Sequence, residues 1–514
     1  METILSGLQQ ALSMEALLAV FIGSVLGLIF GAIPGLTYSL VLVLLLPLTF
    51  AMPTEAGMGL LLGCYLGGMT GGSVSAILLG IPGTPSAAAT VMDGYPMARR
   101  NEAGKALGTA LFVSVFGGLF SLIIMVFVAS YIADVALAFG PAEIFALVLF
   151  GLSTICGLSE RSLTLGLVAG VLGLMLMTIG LDPLTGVQRL TFGFTDMMQG
   201  VNLVVAMIGL FAIPQLVDTF LSKDGNKVDL GKFGKVRCTL PTWQECRQNL
   251  GLVTRCSAMG TGIGAIPGAG GPIAAFLAYA HAKRFSKNPE NFGKGEIAGV
   301  AAPESANNAV TGGTLIPLLS LGIPGDPATA IMLGGLLIHG LQPGPLLFQT
   351  NLDTVYAIYA MVAISYIAIF AVQLWGIRLF VKVLAVPGEY LAASILVLCA
   401  IGAFAIRNSM FDVYMMIGMG AFGYVLKRLG IPIAPVVLGM VLGEILDTNY
   451  RTALIMSNNS HATFFESWTA MILLGLTALT IITQVVKRCR NPAIPANDET
   501  TIPNAKNADG ASAH

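Results

Sequence analysis

Four short Gly-Pro strings interrupt the apolar runs of this chain. The string Gly-Ala-Ile-Pro-Gly occurs at 31–35 and again at 264–268, and Gly-Ile-Pro-Gly occurs at 80–83 and 322–325. Proline removes a backbone donor and clashes with the preceding helical turn, so each string is predicted to break a helix. The N–H groups at a new helix N-terminus carry a partial positive charge, which favours an anion. The strings therefore predict an anion site built largely from backbone.

The second pair of strings ends in the signature of a new helix. Thr84-Pro85 and Asp326-Pro327 each place a side-chain oxygen just before a proline, as an N-cap and the first helical residue require. Asp326 is interpreted as an N-cap in preference to a cation ligand. The expected discontinuous helices run over 57–79 with 86–98 and over 296–321 with 328–339. The first pair of strings predicts helical hairpins whose uncharged tips stay in the protein interior.

Polar side chains gather beside these breaks. An Asn inside an apolar run is costly unless it is used, so Asn307 and Asn308 are predicted to contact substrate or a cation; bonding between packed helices is the alternative. Glu304 is expected to bind a coupling cation or to carry a proton, with a solvated helix end as the alternative. The predicted substrate contacts are Thr37, Ser73, Gly83, Thr84, Gly268, Ser305, Asn307, Asn308, Thr311 and Gly325. The predicted cation ligands are Glu304, Asp326, Thr70 and Thr314.

The composition identifies the class of protein that must position these residues. Of 514 residues, 55% are hydrophobic and only 10% are charged, whereas soluble domains carry about 25% charged residues. The apolar runs are continuous rather than alternating, which disfavours a membrane β-barrel. The 62 glycines suit closely packed membrane helices. The sequence therefore predicts an all-α polytopic membrane protein.

Several classes of function are disfavoured by what the sequence contains. A net charge of −1 offers no basic field for nucleic acid. The four histidines show no metal-binding spacing, and no phosphate-binding loop with its Lys-Ser or Lys-Thr pair is present. We therefore expect neither an enzyme nor an ATP-driven pump, and no cofactor beyond a coupling ion.

The distribution of Lys and Arg predicts the orientation in the membrane. Basic residues accumulate in cytoplasmic loops, which places the N-terminus outside and the C-terminus in the cytoplasm. The basic clusters lie at 99–105, 223–247, 283–294 and 487–490. Three arginines, Arg189, Arg407 and Arg451, fall on the outer side under this scheme, so the fit is imperfect.

The matched strings also predict an internal duplication. They recur in the same order, with 49 and 58 residues between the first and second string of each half. The basic loops place the two copies in opposite senses across the membrane, which is the inverted-topology repeat of secondary transporters. The predicted units are a first membrane repeat at 1–222, a cytoplasmic linker at 223–247, a second membrane repeat at 248–490 and a disordered tail at 491–514.

These motifs closely resemble the large membrane subunit (TctA-type) of the tripartite tricarboxylate transporters. The resemblance covers about residues 15–480 and is carried by Gly31–Thr37, Gly67–Pro96, Gly264–Pro272 and Ala302–Pro345. It implies an ion-gradient-driven importer of citrate-like carboxylates in the bacterial inner membrane, coupled to Na⁺ or H⁺. It also implies a small four-helix membrane subunit and a periplasmic solute-binding protein as partners. Unwound carbonyls at the breaks would suit Na⁺, and Glu304 would suit a proton.

Two other functions are compatible with the residues alone. A self-sufficient secondary carboxylate transporter or exporter would use the same inverted repeat without a binding protein. An anion channel would also present helix N-termini to its ligand, but it would need no alternating access.

Overall fold

A computed structural model describes residues 2–34, 36–157, 163–221, 236–383 and 388–490. The predicted tail at 491–514, most of the predicted linker and Gly35 lie outside the described residues. The described residues are mostly helical, and the two strands among them, β1 (Gly180–Leu181) and β2 (Gln188–Arg189), form one short antiparallel hairpin. Helix α11, which starts at Trp243, begins inside the predicted linker.

The α-helices are α1 (Glu2–Ala11), α2 (Met14–Ala32), α3 (Tyr38–Thr49), α4 (Thr54–Leu79), α5 (Ala88–Arg99), α6 (Ala103–Ala136), α7 (Pro141–Gly157), α8 (Leu163–Met177), α9 (Leu203–Met207), α10 (Ile213–Leu221), α11 (Trp243–Gly264), α12 (Gly270–Arg284), α13 (Ile297–Leu321), α14 (Pro327–Ile338), α15 (Leu347–Thr350), α16 (Leu352–Val383), α17 (Gly388–Arg407), α18 (Met410–Arg428), α19 (Ile433–Met456), α20 (Thr463–Glu466) and α21 (Trp468–Arg490). A π-helical turn at Ile208–Ala212 joins α9 to α10. Within the described ranges, 3-10 turns lie at Pro85–Ala87, Thr195–Gln199 and Pro289–Asn291.

In the part of the chain that the structure describes, six helical segments are long and apolar enough to cross a membrane. They are Met14–Ala32, Thr54–Leu79, Ala103–Ala136, Leu203–Leu221, Leu352–Ile377 and Ile433–Met456. The most apolar stretch of Thr54–Leu79 is buried along its whole length inside the protein, whereas that of Ala103–Ala136 is less than half buried. The predicted all-α, multi-pass membrane protein is confirmed.

The first helical hairpin, α2 with α3, lies along the N-terminal half of α4. Helix α2 packs against the backbone of α4 through Gly23, Gly27 and Gly31, with no room for a Cβ at any of the three positions. At the end of this contact Gly31 faces Gly68. The start of α3 returns to that point, because a Cβ on Gly68 would meet Tyr38. The hairpin tip therefore lies beside the middle of α4, as its uncharged sequence predicts.

The second hairpin, α11 with α12, packs on α13 in the same way. Gly260 and Gly264 of α11 contact the backbone of Ala306 and Val310, again with no room for a Cβ. Small residues allow this close approach of helix backbones. The tip of this hairpin lies beside the middle of α13, near Gly313.

Helices α4 and α13 cross in opposite directions near their midpoints. Tyr65 contacts Thr314, and Thr70 contacts Asn308, so the residue numbers rise along α4 as they fall along α13. Each hairpin accompanies the N-terminal half of its own long helix. The two hairpins consequently approach the crossing from opposite ends of the molecule.

Both long helices end at a glycine, after which the chain folds back. Gly80 and Gly322 adopt nearly identical left-handed conformations, with φ of 69° and 70°, which glycine adopts without strain. Beyond the first break, Gly83 N–H donates to the carbonyl of Gly72 at 3.4 Å. Beyond the second, Gly325 lies against Thr314. Each short helix, α5 or α14, therefore starts beside its long helix rather than continuing its axis.

The two ends of the molecule differ in their basic residues. One end of the molecule carries Arg99, the last residue of α5, and Arg284, the last residue of α12. At this end Arg100 also donates a hydrogen bond to the Gly295 carbonyl, in the segment before α13. The opposite end carries Arg189, Arg407 and Arg451. Each of these three is paired with an acid: Arg189 with Asp182 and Asp447, Arg407 with Asp412, and Arg451 with Asp182 and Asp447.

Candidate functional site

A buried network of polar side chains fills the point where α4 and α13 cross, and we call it the polar crossing. Its members are Tyr65, Thr70, Thr90, Ser114, Glu304, Asn307, Asn308, Thr311, Thr314, Asp326 and Tyr366. None of them is more than 4% exposed. Burial of so many polar groups is tolerated because most of them are hydrogen-bonded to one another.

Asn308 lies at the centre of the polar crossing. Its Oδ1 accepts from the Thr70 hydroxyl at 2.8 Å, and its Nδ2 donates to Ser114 Oγ at 2.8 Å and to the Glu304 carbonyl at 3.2 Å. Thr70 comes from α4, Ser114 from α6 and Asn308 from α13. One amide therefore joins three helices, and substrate contact by Asn308 stays a prediction.

Glu304 is buried, so its interpretation as a solvated helix end is wrong. Its side chain is 1% exposed; Oε1 accepts from the Thr90 hydroxyl at 2.5 Å, and Oε2 accepts from Ser114 at 3.3 Å. Across the described residues, none of the ion pairs involves Glu304. An ionised carboxylate buried without a counter-charge is costly. The geometry therefore favours either a proton or a cation at this residue.

Asn307, the neighbour of Asn308, is only half satisfied. Its Nδ2 donates to the Met69 carbonyl at 3.2 Å, whereas its Oδ1 has no hydrogen-bond partner in the described structure. Oδ1 faces the first turn of α12, where a Cβ on Gly271 would lie 2.8 Å away. Buried amide oxygens without a donor are uncommon and point to strain or to a missing ligand.

Asp326 is the N-cap of α14, as predicted. Its Oδ1 accepts from the Thr329 N–H at 2.8 Å, and its own N–H donates to Thr329 Oγ1 at 2.9 Å, which completes a capping box. Its Oδ2 accepts from the Tyr65 hydroxyl at 2.9 Å, so the cap is tied to α4. Both carboxylate oxygens thus have partners from the protein itself.

Thr84 does not cap the helix that follows it, contrary to the sequence prediction. Its hydroxyl lies 3.2 Å from the Ser86 hydroxyl, and no side-chain cap bond is made to the 3-10 turn Pro85–Ala87. The chain enters this segment as a tight 3-10 turn before α5 begins at Ala88, and the geometry of that turn brings Ser86 rather than a backbone donor to the hydroxyl.

The remaining predicted residues form the walls of the site or lie apart from it. Gly268 N–H donates to the Gly325 carbonyl at 2.7 Å, which joins the second hairpin tip to the second break. Ser73 and Ser305 donate to carbonyls of their own helices. Thr37 accepts from Leu40 N–H and donates to Gln215, so its hydrogen bonds lie outside the polar crossing.

Four members of the polar crossing were missed by sequence reasoning, namely Tyr65, Thr90, Ser114 and Tyr366. No local pattern distinguishes these hydroxyls from ones that bond to their own helix, because their partners lie on other helices. Tyr366 of α16 lies 2.8 Å from the Thr311 hydroxyl, which ties the outer helix α16 to α13.

Asp93 is a further buried carboxylate that the sequence did not single out. Its Oδ1 accepts from the N–H groups of Gly293, Gly295 and Glu296, at 2.7 to 2.9 Å, and its Oδ2 accepts from Tyr279 at 2.8 Å. These bonds attach α5 to the segment that leads into α13. Asp93 therefore fixes the position of the short helix that begins at the polar crossing.

Two cavities lie away from the polar crossing. One, of about 280 Å³, is lined by Asp182, Arg189, Glu444 and Asp447 at the end opposite the basic clusters. The Arg451 guanidinium and the Thr185 hydroxyl hold the pKa of Asp182 well below its usual range. The other, of about 1420 Å³, lies at the basic end beside Arg99 and Lys105. Among the described residues, no cluster of His, Cys, Asp and Glu suits a metal ion.

The family of the chain follows from comparison with known proteins. The model of the tripartite tricarboxylate transporter TctA family matches residues 17–438, which is most of the chain. The chain belongs to the tripartite tricarboxylate transporter TctA family. This is a transporter family rather than an enzyme family, and it identifies the chain as a component of a transporter with other subunits. The polar crossing, with its helix breaks, is contained in the matched region.

Two proteins of Agrobacterium vitis are similar to this chain. One, described as an uncharacterized 52.8 kDa protein in the TAR-I ttuC' 3' region, is 35% identical over 488 residues, which cover 94% of this chain and 96% of that protein. The other, described as an uncharacterized protein in the TAR-II ttuC' 3' region, is 39% identical over 232 residues, or 45% of this chain and 96% of that protein. No solved structure matches the chain significantly.

Proposed function

We propose that this protein is the permease subunit of a binding-protein-dependent importer that uses an ion gradient to take up carboxylates. The observation that carries the proposal is the polar crossing, where two helix breaks, two hairpin tips and a buried carboxylate meet. A transporter of the TctA family needs a place where backbone dipoles and an ion can meet at membrane depth. The polar crossing has those parts.

An inverted-topology repeat is the architecture that we infer for the permease. The breaks after α4 and α13 share their backbone conformation, and the two helices are of similar length, 26 and 25 residues. Their antiparallel crossing, with hairpins entering from opposite ends, is what two inverted copies would produce. Alternating access would then follow from movement of one copy relative to the other.

Carboxylate binding is assigned to backbone and neutral polar groups at the crossing. In the described residues no Lys or Arg belongs to the polar crossing, so an anion must be held by N–H groups and amides. The N-terminal turn of α12 starts at this level, and a helix N-terminus favours an anion by about 0.3–1 kcal/mol. The N-terminus of α14 is already occupied by the Asp326 carboxylate. Asn307, Asn308 and the Gly268–Gly271 tip are the proposed contacts.

Glu304 is the proposed coupling residue. It is buried, it lacks a basic partner among the described residues, and its neighbours Thr90 and Ser114 are hydroxyls that could also ligate a small cation. Either H⁺ or Na⁺ would neutralise it. Thr70 is connected to this carboxylate only through Asn308 and Ser114. Thr314 lies ten residues further along α13, about 15 Å away at 1.5 Å per residue, and Asp326 is already engaged as a helix cap.

The proposed location is the bacterial inner membrane, with the N-terminus outside and the C-terminus in the cytoplasm. Arg99, Lys105 and Arg284 belong to one end of the fold, and the three arginines of the other end are ion-paired. The proposed partners are a small four-helix membrane subunit and a periplasmic solute-binding protein. The second of these would dock at the end that carries Asp182 and Arg451.

Transport by reconstituted protein tests the proposal. The permease and its small subunit are placed in liposomes, a binding protein loaded with a radiolabelled carboxylate is added outside, and an inward ion gradient is imposed. We expect accumulation above the external concentration that disappears when ionophores collapse the gradient. Accumulation without the binding protein would favour a self-sufficient transporter, and purely downhill flux would favour an anion channel.

A further inference from the structure

The orientation of the Asn307 amide is fixed by its surroundings. Its Nδ2 faces the carbonyl oxygen of Met69 at 3.2 Å, and only the NH₂ group of an amide can donate to a carbonyl. The Oδ1 atom must therefore point the other way. The side chain is 1% exposed, and no described donor meets Oδ1.

Oδ1 lies against the start of α12, at a point where α12 also packs against the first half of the chain. A Cβ built on Gly271, in the first turn of α12, would lie 2.8 Å from Oδ1 and 3.2 Å from the Cβ of Ser86. Ser86 belongs to the 3-10 turn that precedes α5. Helix α12 has 15 residues, so its N-terminal turn carries a partial positive charge.

The chemistry of this place differs from that of a simple anion site. A helix N-terminus favours a carboxylate, but an amide oxygen is an acceptor and repels one. A ligand that satisfies both must present a hydrogen-bond donor close to its carboxylate. A hydroxyl on the carbon next to a carboxylate meets that requirement.

We propose that Asn307 Oδ1 accepts a hydrogen bond from a hydroxyl of the substrate, so that the permease selects hydroxycarboxylates over carboxylates that lack the hydroxyl. This assignment rests on the proposed function as a carboxylate permease. Because Gly271 lies so close that even a Cβ on it would meet Oδ1 at 2.8 Å, a substrate hydroxyl reaches Oδ1 only when the Gly268–Gly271 tip moves away from Asn307.

Pairs of carboxylates that differ by one hydroxyl test the proposal. Purified permease in lipid nanodiscs is titrated with citrate and tricarballylate, and with L-malate and succinate, with no binding protein present. Binding is measured by calorimetry or by the thermal shift of the protein. In whichever pair binds, we expect the hydroxylated compound to bind about tenfold more tightly than its partner without the hydroxyl. The partner leaves the buried Oδ1 acceptor unpaired, which weakens its binding.

Two variants connect the selectivity to Oδ1. Asn307→Ala removes the acceptor and is expected to bring the affinity ratio of the pair to about one, mainly by weakening the hydroxylated ligand. Gly271→Ala places a methyl group against Oδ1 and is expected to do the same, which covers the case in which Asn307→Ala does not fold. Asn202→Ala removes an amide that caps α9, away from the polar crossing, and should retain the ratio.

The outcomes separate this proposal from the proposed function. Equal affinity within each pair for the wild-type protein, or a ratio that persists in both variants, overturns the hydroxyl assignment and leaves carboxylate transport intact. Failure of all four compounds to bind or to be transported overturns both. A variant whose ligand ratio is unchanged but whose ion dependence is altered would place Oδ1 in the ion site and would overturn the hydroxyl assignment.

Discussion

The long helices α4 and α13, with the breaks that follow them, have similar backbone conformations but carry different polar side chains. Helix α4 is rich in glycine at its contacts and supplies hydroxyls, from Tyr65 and Thr70, to the polar crossing. Helix α13 and its break supply Glu304, both asparagines and Asp326. The comparison shows that glycine contacts dominate α4, whereas the acidic and amide side chains of the polar crossing come from α13 and its break.

The break after α13 also has more side-chain hydrogen bonds than the break after α4. Asp326 completes a capping box with Thr329, whereas Thr84 makes no cap bond and pairs with Ser86. The second break is therefore fixed by side chains, and the first is held by packing and by the bond from Gly83 to Gly72. The two similar Gly-Pro strings are therefore stabilised by different local interactions.

The largest predicted effect is that of the α13 amides. Asn308→Ala removes the partner of Thr70 and of Ser114, and Asn307→Ala removes the bond to the Met69 carbonyl. Each loss of a buried partner costs about 1–3 kcal/mol, so we expect transport to fall at least about tenfold. Uptake in liposomes measures this, with surface expression as the control. Normal transport by both variants would contradict the site assignment.

A smaller effect is predicted for the α4 partner of Asn308. Thr70→Ala removes a hydroxyl that also lies 3.0 Å from the carbonyl of Leu66 in its own helix, so part of its bonding is local. We expect transport to fall by about threefold, less than for Asn308→Ala, in line with the loss of one neutral hydrogen bond. An effect as large as that of Asn308→Ala would show that the two helices contribute equally.

The caps are predicted to differ in stability. Asp326→Ala should lower the free energy of unfolding by about 1–2 kcal/mol because it removes a capping box and the acceptor of Tyr65. Thr84→Ala should lower it by less than about 0.5 kcal/mol because no cap bond is lost. Denaturant titration of the detergent-solubilised protein makes the comparison, and equal losses would contradict it.

The smallest effect is predicted for Asp326→Asn. Asparagine caps helices about as well as aspartate does, and with its oxygen on the Thr329 N–H its Nδ2 can donate to the Tyr65 hydroxyl. Transport should therefore stay within about twofold of the wild-type rate, as expected for a cap rather than a charge. A loss of ion-driven accumulation in this variant would instead assign Asp326 to the coupling-ion site.

Local features of the fold were predictable from the sequence. The expected helices at 57–79 and 296–321 correspond to α4 and α13, and the cap at Asp326 was recognised because its bonds span three residues. The hydrogen-bond partner of Glu304 could not be predicted in this way, because Thr90 lies 214 residues away in the sequence. The burial of Glu304 and the absence of a capping hydrogen bond from the Thr84 side chain also depend on how the chain folds back, which local sequence patterns do not encode.

The same limit explains the residues that were missed. Ser114 enters the site from α6, and Tyr366 enters it from α16, although neither helix carries a Gly-Pro string at that position. Hydroxyls in apolar helices most often bond to their own backbone, as Ser121 does. Only the packing of α13 against α6 and α16 distinguishes the two cases.

Glutamine substitution of Glu304 tests the account most directly. Glu304→Gln keeps the shape of the side chain but removes its ability to bind a proton or a cation as a carboxylate. In liposomes with an imposed ion gradient, we predict that the wild-type protein accumulates labelled carboxylate, whereas the variant exchanges internal for external carboxylate without accumulation. Accumulation by Glu304→Gln at the wild-type level would contradict the assignment of the polar crossing as the ion-coupled transport site.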